Sequence, residues 1–288
     1  MKPSLSFVLA ALLSACSAAP VDQTPLDAGA RADVAAAVDR VSADIPAATD
    51  APTPQDVASP PADAGTFEGS TEILGTLRGT CGTVRAMLRS PTPSLLRNEL
   101  VFMPPETYTR AALSPHGQRV FDAPNAGGSS IESEVMSMEV LHYCEGATLL
   151  RTETEVRYAP PDDAGANSIT DTLVSIDGMR VGVSVTRAYR PRPMVLSDMD
   201  VQTLLETKLA GINRSSMRVL PEDRWVKQIL HVFVVDATVA AQVERAWAAI
   251  SPAIRADTIV VVTVTTGGGF IYCNPDPALG MECPAIGG

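Results

Sequence analysis

A carboxylate and two hydroxyls are brought together by the stretch ITDTLVSIDGMRVGVSVTR, residues 169–187. Asp-Gly between two alternating segments is typical of a two-residue hairpin turn, which here falls at Asp177-Gly178. Counting outward from this turn sets Asp171 opposite Ser184 on the two strands. One face of the hairpin is then apolar, and the other presents Asp171, Ser184 and Thr186. This polar face is the first candidate for a chemical site.

Further charged groups could complete a site around Asp171. Glu134 lies at the edge of the apolar face of a predicted helix, Glu155 or Glu153 lies on the polar side of a predicted strand, and Lys208 flanks the apolar stripe of a second predicted helix. Carboxylate oxygens are ligands for hard divalent cations, so Asp171 and Glu134 are the candidate metal ligands. Each group also has a structural interpretation: a surface carboxylate for Glu134, a solvated strand face for the strand glutamates, and an aliphatic stem along apolar surface for Lys208.

The segment TRAYRPRP carries a local basic patch of Arg187, Arg190 and Arg192, with Tyr189 among them. Such a patch can contact a phosphate backbone or an acidic surface, and a solvated loop is the alternative interpretation. Residues 67–288 contain 19 Lys and Arg against 25 Asp and Glu, a net charge of −6. This balance disfavours non-specific binding of nucleic acid.

The chain has five cysteines, and four remain for disulfides if Cys16 is modified: Cys81, Cys144, Cys273 and Cys283. An even number in an exported chain permits two disulfides. Cys273 and Cys283 flank the loop NPDPALGME, which favours their pairing and leaves Cys81 to pair with Cys144. Spacing alone does not decide among the three possible pairings. A zinc site is the alternative, but the chain has no Cys-x-x-Cys motif.

The N-terminus has the form of a secretory signal, with Lys2 followed by a mostly apolar run, Ser4–Leu13. This run is too short to span a bilayer, which needs about 20 residues. Leu13-Ser14-Ala15-Cys16 resembles a bacterial lipobox, and the resemblance implies that Cys16 becomes the lipid-bearing first residue of the mature chain. Cleavage by an ordinary signal peptidase is the alternative. Ser17 stands where an inner-membrane retention Asp could follow the cysteine, which by analogy indicates the outer membrane.

Three regions follow from composition. Residues 1–16 are the predicted lipoprotein signal peptide, and residues 17–66 are rich in Ala, Asp, Pro and Thr without an aromatic residue. The second region cannot bury enough apolar surface to fold, so we expect a disordered tether with a root-mean-square span of roughly 40 Å. Residues 67–288 are long enough for a single globular α/β domain.

Hydrophobic periodicity predicts the order of elements in this domain. The main run is helix 130–141, strand 149–158, the two hairpin strands, helix 198–212, strand 228–235, helix 237–250 and strand 258–265. Before it, Ile73–Leu77 fits an extra strand, and Thr92–Leu113 fits one or two short helices. A three-stranded meander followed by alternating helices and strands predicts a mixed β-sheet with helices packed on it.

This order resembles the PD-(D/E)XK nuclease superfamily, whose restriction-endonuclease-like core runs helix, three strands, helix, strand. The resemblance covers roughly residues 130–236, with one more helix and strand after it. It implies that Asp171 takes the place of the first metal-binding carboxylate. Ser184 then stands for the second carboxylate and Thr186 for the lysine, so both departures from the family pattern fall on the chemistry. Glu134 on the first helix, Glu155 and Lys208 are the residues that could restore it.

The leading hypothesis is a lipid-anchored envelope protein whose nuclease-like domain is a binding or structural module rather than an enzyme. No cofactor is needed for this function, the membrane is contacted through the lipid on Cys16, and the domain lies in the periplasm or on the cell surface. The alternative is a Mg²⁺-dependent phosphodiesterase acting outside the cytoplasm, with Asp171, Glu134, Glu155 and Lys208 as its parts. A third possibility is an unrelated α/β envelope domain. The protein partner is not identified by the sequence.

Overall fold

The computed structural model describes residues 69–71, 74–124, 131–160, 168–191 and 193–273, all within one unit, Ser59–Gly288. Among these residues one sheet contains eight strands: β1 (Gly69–Thr71), β2 (Gly75–Gly79), β3 (Ser94–Phe102), β4 (Thr148–Thr152), β5 (Thr172–Ile176), β6 (Met179–Ala188), β7 (Lys227–Val234) and β8 (Ile259–Thr266). The helices are α1 (Val84–Met87), α2 (Pro115–Asp122), α3 (Ile131–Glu145), α4 (Asp198–Arg218), α5 (Ala237–Ala249) and α6 (Pro252–Arg255). None of the helices in these ranges combines the length and apolar character that spanning a bilayer requires.

The strand order is β1-β2-β3-β8-β7-β6-β5-β4. The four central strands β3, β8, β7 and β6 are parallel, and the outer strands pair antiparallel at both sides. From α3 to β8 the helices and strands run helix, three strands, helix, strand, two helices, strand, with the short α6 as the second helix of the last pair. This confirms the predicted fold class, a mixed sheet with helices packed on it and the order helix, three strands, helix, strand at its core.

Two apolar layers cover the two faces of the sheet. Alternate residues of β6 such as Val183 and Val185 belong to one cluster together with the apolar side chains of α3. Leu230 and Val232 of β7 belong to a second cluster with α4 and α5. Because side chains alternate along a strand, each residue of the central strands faces either α3 or α4. This division decides which candidate site residues can meet.

The hairpin of β5 and β6 has the register that its turn predicts. Ile176 pairs with Met179 and Thr172 with Val183. Asp177 and Gly178 both have positive φ, 52° and 75°, as a turn matched to the twist of the strands requires. The register counted outward from the turn is therefore confirmed as far as Thr172 and Val183.

The prediction of helices in Thr92–Leu113 is wrong for most of that stretch, because β3 occupies the centre of the sheet there. Leu96, Asn98, Leu100 and Phe102 alternate as buried residues. The buried polar Asn98 hides this alternation in the sequence, and its side-chain carbonyl accepts a hydrogen bond from Thr80 Oγ1 at 3.0 Å.

The predicted strand 149–158 ends early, at Thr152. There the chain turns into a short 3-10 helix, Glu153–Glu155, in which Thr152 and Glu155 form a reciprocal capping box. Local hydrogen bonding therefore outweighs the alternating pattern of the following residues, and Glu155 is not on a strand.

A disulfide joins Cys81 to Cys144, with 4.7 Å between the Cα atoms. It links the turn before α1 to the end of α3. Cys273 is also disulfide-bonded, whereas Cys16 and Cys283 lie outside the described residues.

Candidate binding cleft beside Asp171

A polar cleft of about 240 Å³ lies between the start of β5 and one side of α4. We call it the Asp171 cleft. Its lining combines one carboxylate, two cations and several hydroxyls: Ser168, Ile169, Asp171, Ser184, Thr207, Lys208, Gly211, Ile212 and Arg214. Asp171, Ser184 and Lys208 were each predicted as candidates from the sequence, and the fold brings these three together.

Asp171 is held at the point where β5 meets β6. Its Oδ2 accepts a hydrogen bond from the backbone N–H of Val185 at 2.6 Å, and its own N–H donates to the carbonyl of Val183 at 3.0 Å. Burial raises the pKa of Asp171 to about 6, and the negative charge of Glu153 acts in the same direction. The Val185 N–H and the charge of Lys208 oppose this rise in pKa. Asp171 can therefore change its charge near neutral pH.

Ser184 and Thr186 are buried residues of β6. Ser184 Oγ lies 3.1 Å from Thr170 Oγ1, so each hydroxyl has a hydrogen-bond partner. Gly182 leaves no open space on this face, because the ring of Trp225 lies 2.8 Å from where a Cβ on Gly182 would stand. The room in the cleft comes from the side of α4.

Helix α4 supplies the cations of the cleft. Lys208 and Arg214 are both exposed, and Arg214 Nε donates to Ser168 Oγ at 3.3 Å. Sequence reasoning identified Lys208 and missed Arg214, Thr207 and Gly211. Their spacing in the sequence could have identified them, because residues 207, 211 and 214 lie on one side of a helix.

Glu134 does not join Asp171. It lies on α3, whose apolar side chains pack on the opposite face of the sheet from α4. Its charge acts instead on Arg187, where it favours the charged guanidinium. The pairing of Asp171 with Glu134 as metal ligands is therefore corrected. The Asp171 cleft lies beside α4 on one face of the sheet, whereas Glu134 lies on α3, which packs on the other face.

Glu155 is also directed elsewhere. Its carboxylate accepts from the Thr152 N–H at 2.9 Å and forms an ion pair with Arg119 at 2.5 Å. Glu153, the alternative on the same segment, is the glutamate whose charge reaches Asp171. Within the described ranges, no three His, Cys, Asp or Glu side chains form a group that could hold a metal ion.

The arginines of the predicted basic patch have different partners and do not act as one surface. The Arg187 guanidinium is half-buried and donates to the carbonyls of Ile271 and Cys273 at 3.1 and 3.3 Å. Arg190 forms an ion pair with Asp200 at 2.7 Å. Arg192 lies outside the described residues.

A second cleft, of about 440 Å³, adjoins the first and shares Thr207 with it. Tyr189 lines this second cleft, and its ring packs at 5.1 Å from the ring of Tyr272. Both clefts follow the same side of α4. Together they form one groove along the end of β6.

No protein-family model matches the chain. A 167-residue stretch is 38% identical to the AAC-rich mRNA clone AAC4 protein of Dictyostelium discoideum, a match that covers 56% of this chain and 24% of that protein. The chain thus spans about a quarter of the length of this relative. Pyrococcus furiosus SfsA, solved in complex with Ca²⁺, aligns with 50% of this chain and 70% of its own at 12% identity and a TM-score of 0.21.

Proposed function

We propose that this chain is a lipid-anchored protein of the cell envelope and that its α/β domain is a non-catalytic binding module with the Asp171 cleft as its ligand site. One observation carries the assignment of the ligand site: Lys208 and Arg214 line an open cleft together with Asp171. Ser184 lines the same cleft, at the position where the resemblance to nucleases implies a second carboxylate. Two cations against one carboxylate favour an anionic ligand group.

The ligand group we infer is a carboxylate or a phosphate. Arg214 offers a planar fork of N–H donors, and Lys208 offers a compact charge, the two kinds of group that recognise such oxygens. Ser168 and Thr207 add hydroxyl donors at the same cleft. Protonation of Asp171 would strengthen anion binding, since it removes the one negative charge that lines the cleft.

The alternative is the Mg²⁺-dependent phosphodiesterase, and the shared cleft of Asp171 and Lys208 is the observation that favours it. Such an enzyme would need a second carboxylate beside Asp171. Glu153, whose charge raises the pKa of Asp171, is the candidate for that carboxylate in place of Glu134 and Glu155.

Calorimetry on the purified mature chain tests the two functions against each other. Titration with inorganic pyrophosphate should release or absorb heat, and the combined K208A and R214A substitutions should abolish it. A matched control removes two exposed arginines elsewhere, R180A with R224A, and should leave binding unchanged. Titration with Mn²⁺ should give no heat. Heat with Mn²⁺ that disappears in D171N would instead support the phosphodiesterase.

The lipid anchor is tested separately, because Cys16 lies outside the described residues. In a bacterial host that processes lipoproteins, the wild-type chain should incorporate labelled palmitate. The C16A variant should not incorporate it. Equal labelling of both chains would contradict the anchor.

A further inference from the structure

The end of β6 has an open edge beside the groove. Pairing between β5 and β6 stops at Thr172 and Val183, although β6 continues to Ala188. On its other side β6 stays paired with β7 as far as Ala188 and Val234. Residues 184–188 are thus held as a strand, and no strand among the described residues pairs with their second edge. We call this stretch the β6 edge.

The backbone groups of the β6 edge can be assigned a direction. The Val183 carbonyl accepts from Asp171 N–H, and Val185 N–H donates to the Asp171 carboxylate, so both residues direct backbone groups toward the β5 side. Backbone groups of alternate residues point to the same side of a strand. The N–H and C=O of Arg187 therefore also point to this side. An edge of this kind is a template for one further strand.

The groove beside the β6 edge has the shape and charge for side chains of such a strand. The two clefts share Thr207 and follow α4 next to β6. The cations that line them are Arg190, Lys208 and Arg214, against the carboxylates Asp171 and Asp200, whereas the Arg187 guanidinium is directed to the carbonyls of Ile271 and Cys273. This excess of positive charge contrasts with the net charge of −6 over residues 67–288.

From these observations we infer that the β6 edge and its groove bind an extended acidic peptide segment of a partner protein, which adds to the sheet as a strand. The inference rests on the proposed function, since it names the polypeptide carboxylate as the anionic group bound in the Asp171 cleft. Main-chain hydrogen bonds to Arg187 supply affinity, and the cations of the groove select acidic side chains. Pairing with β5 ends at Thr172 and Val183, and no strand in the described ranges follows it along this edge.

The first test uses fluorescence anisotropy with the mature chain and a labelled peptide of about ten alternating threonine and glutamate residues, which is long enough to form one strand. Binding should weaken about tenfold or more when alternate peptide amides are N-methylated, because those amides can no longer donate to the edge. A peptide with lysine in place of glutamate should not bind. Equal binding of the N-methylated peptide would overturn the strand model.

A matched pair of substitutions at Arg187 isolates the backbone contact. R187P removes an N–H that points away from β7, and proline is tolerated on an open strand edge. R187A removes the same side chain but keeps the N–H. We expect R187P to bind the peptide about tenfold more weakly than R187A. Equal affinities of two folded variants would contradict the inference.

Hydrogen exchange of the wild-type chain keeps the test decisive if R187P does not fold. The acidic peptide should slow exchange of the Arg187 amide, whereas pyrophosphate should leave that amide unchanged. If pyrophosphate binds and the peptide does not, the proposed function stands and this inference fails. If neither binds, both fail. Preferential binding of a single-stranded oligonucleotide would also overturn the peptide proposal.

Discussion

Ionisable side chains on the two faces of the sheet have different surroundings. On the α3 face, Glu139 is buried and accepts from the N–H and hydroxyl of Ser114, and His231 is buried between the hydroxyls of Ser137 and Thr263 at 2.8 Å from each. On the α4 face, Asp171 and Lys208 line an open groove.

The difference separates structural from functional ionisable groups. A buried group with all its partners inside the protein stabilises one fold, and its removal costs free energy of unfolding. A group on an open cleft keeps capacity for a ligand. Substitutions on the α3 face should therefore change stability, and substitutions on the α4 face should change binding.

The largest expected effect is loss of the disulfide on the α3 side. The C81S and C144S double variant frees a loop with a sequence separation of 63 residues. Chain entropy predicts a loss of about 4 kcal/mol in the free energy of unfolding. Urea unfolding under non-reducing conditions measures it. Unchanged stability would show that this cross-link does not constrain the unfolded chain.

His231 should give the next largest effect, as a dependence of stability on pH. Burial lowers its pKa to about 3, well below the ordinary value of 6.5. The neutral ring is therefore favoured in the folded state, and stability is lost as pH falls from about 6.5 toward 3. The slope from this one group is about 1.4 kcal/mol per pH unit. In H231Q the decline between pH 6 and pH 4 should be shallower by that amount. Parallel curves for both proteins would contradict it.

Asp171 should make stability depend on pH in the opposite direction to His231, and by a smaller amount. Its folded pKa lies above the ordinary 3.8, so stability from this group falls as pH rises from about 4 to about 6. D171N keeps an acceptor for Val185 N–H and should lack this dependence. D171A leaves that N–H without its partner and should cost about 1–2 kcal/mol relative to D171N at pH 8. Thermal unfolding of the two variants across this pH range measures both effects.

Lys208 should affect stability least. Its side chain is exposed, so K208A should change the free energy of unfolding by less than about 0.5 kcal/mol. The same variant should weaken pyrophosphate binding. A large loss of stability in K208A would remove the distinction between the two faces.

The sequence predicted those features whose causes are local. The hairpin register follows from the conformation of Asp177-Gly178, and the place of Lys208 follows from the apolar stripe of α4. The prediction for Glu134 was wrong for a non-local reason. Every residue from Ser133 to Leu141 of α3 is buried, so this helix has no solvent-exposed side that its sequence pattern could reveal. Which face of the sheet α3 covers depends on the path of the whole chain. Polar Asn98 likewise hid β3, because its burial depends on a hydrogen bond from the distant Thr80.

Hydrogen exchange of the mature chain with and without pyrophosphate tests the central claim most directly, since it reports which face of the sheet a ligand contacts. We predict slower exchange in residues 168–171 and in the part of α4 around Lys208, with α3 unchanged. Protection of α3 with no change in α4, or no protection anywhere under conditions of measured binding, would contradict the assignment of the Asp171 cleft as the binding site.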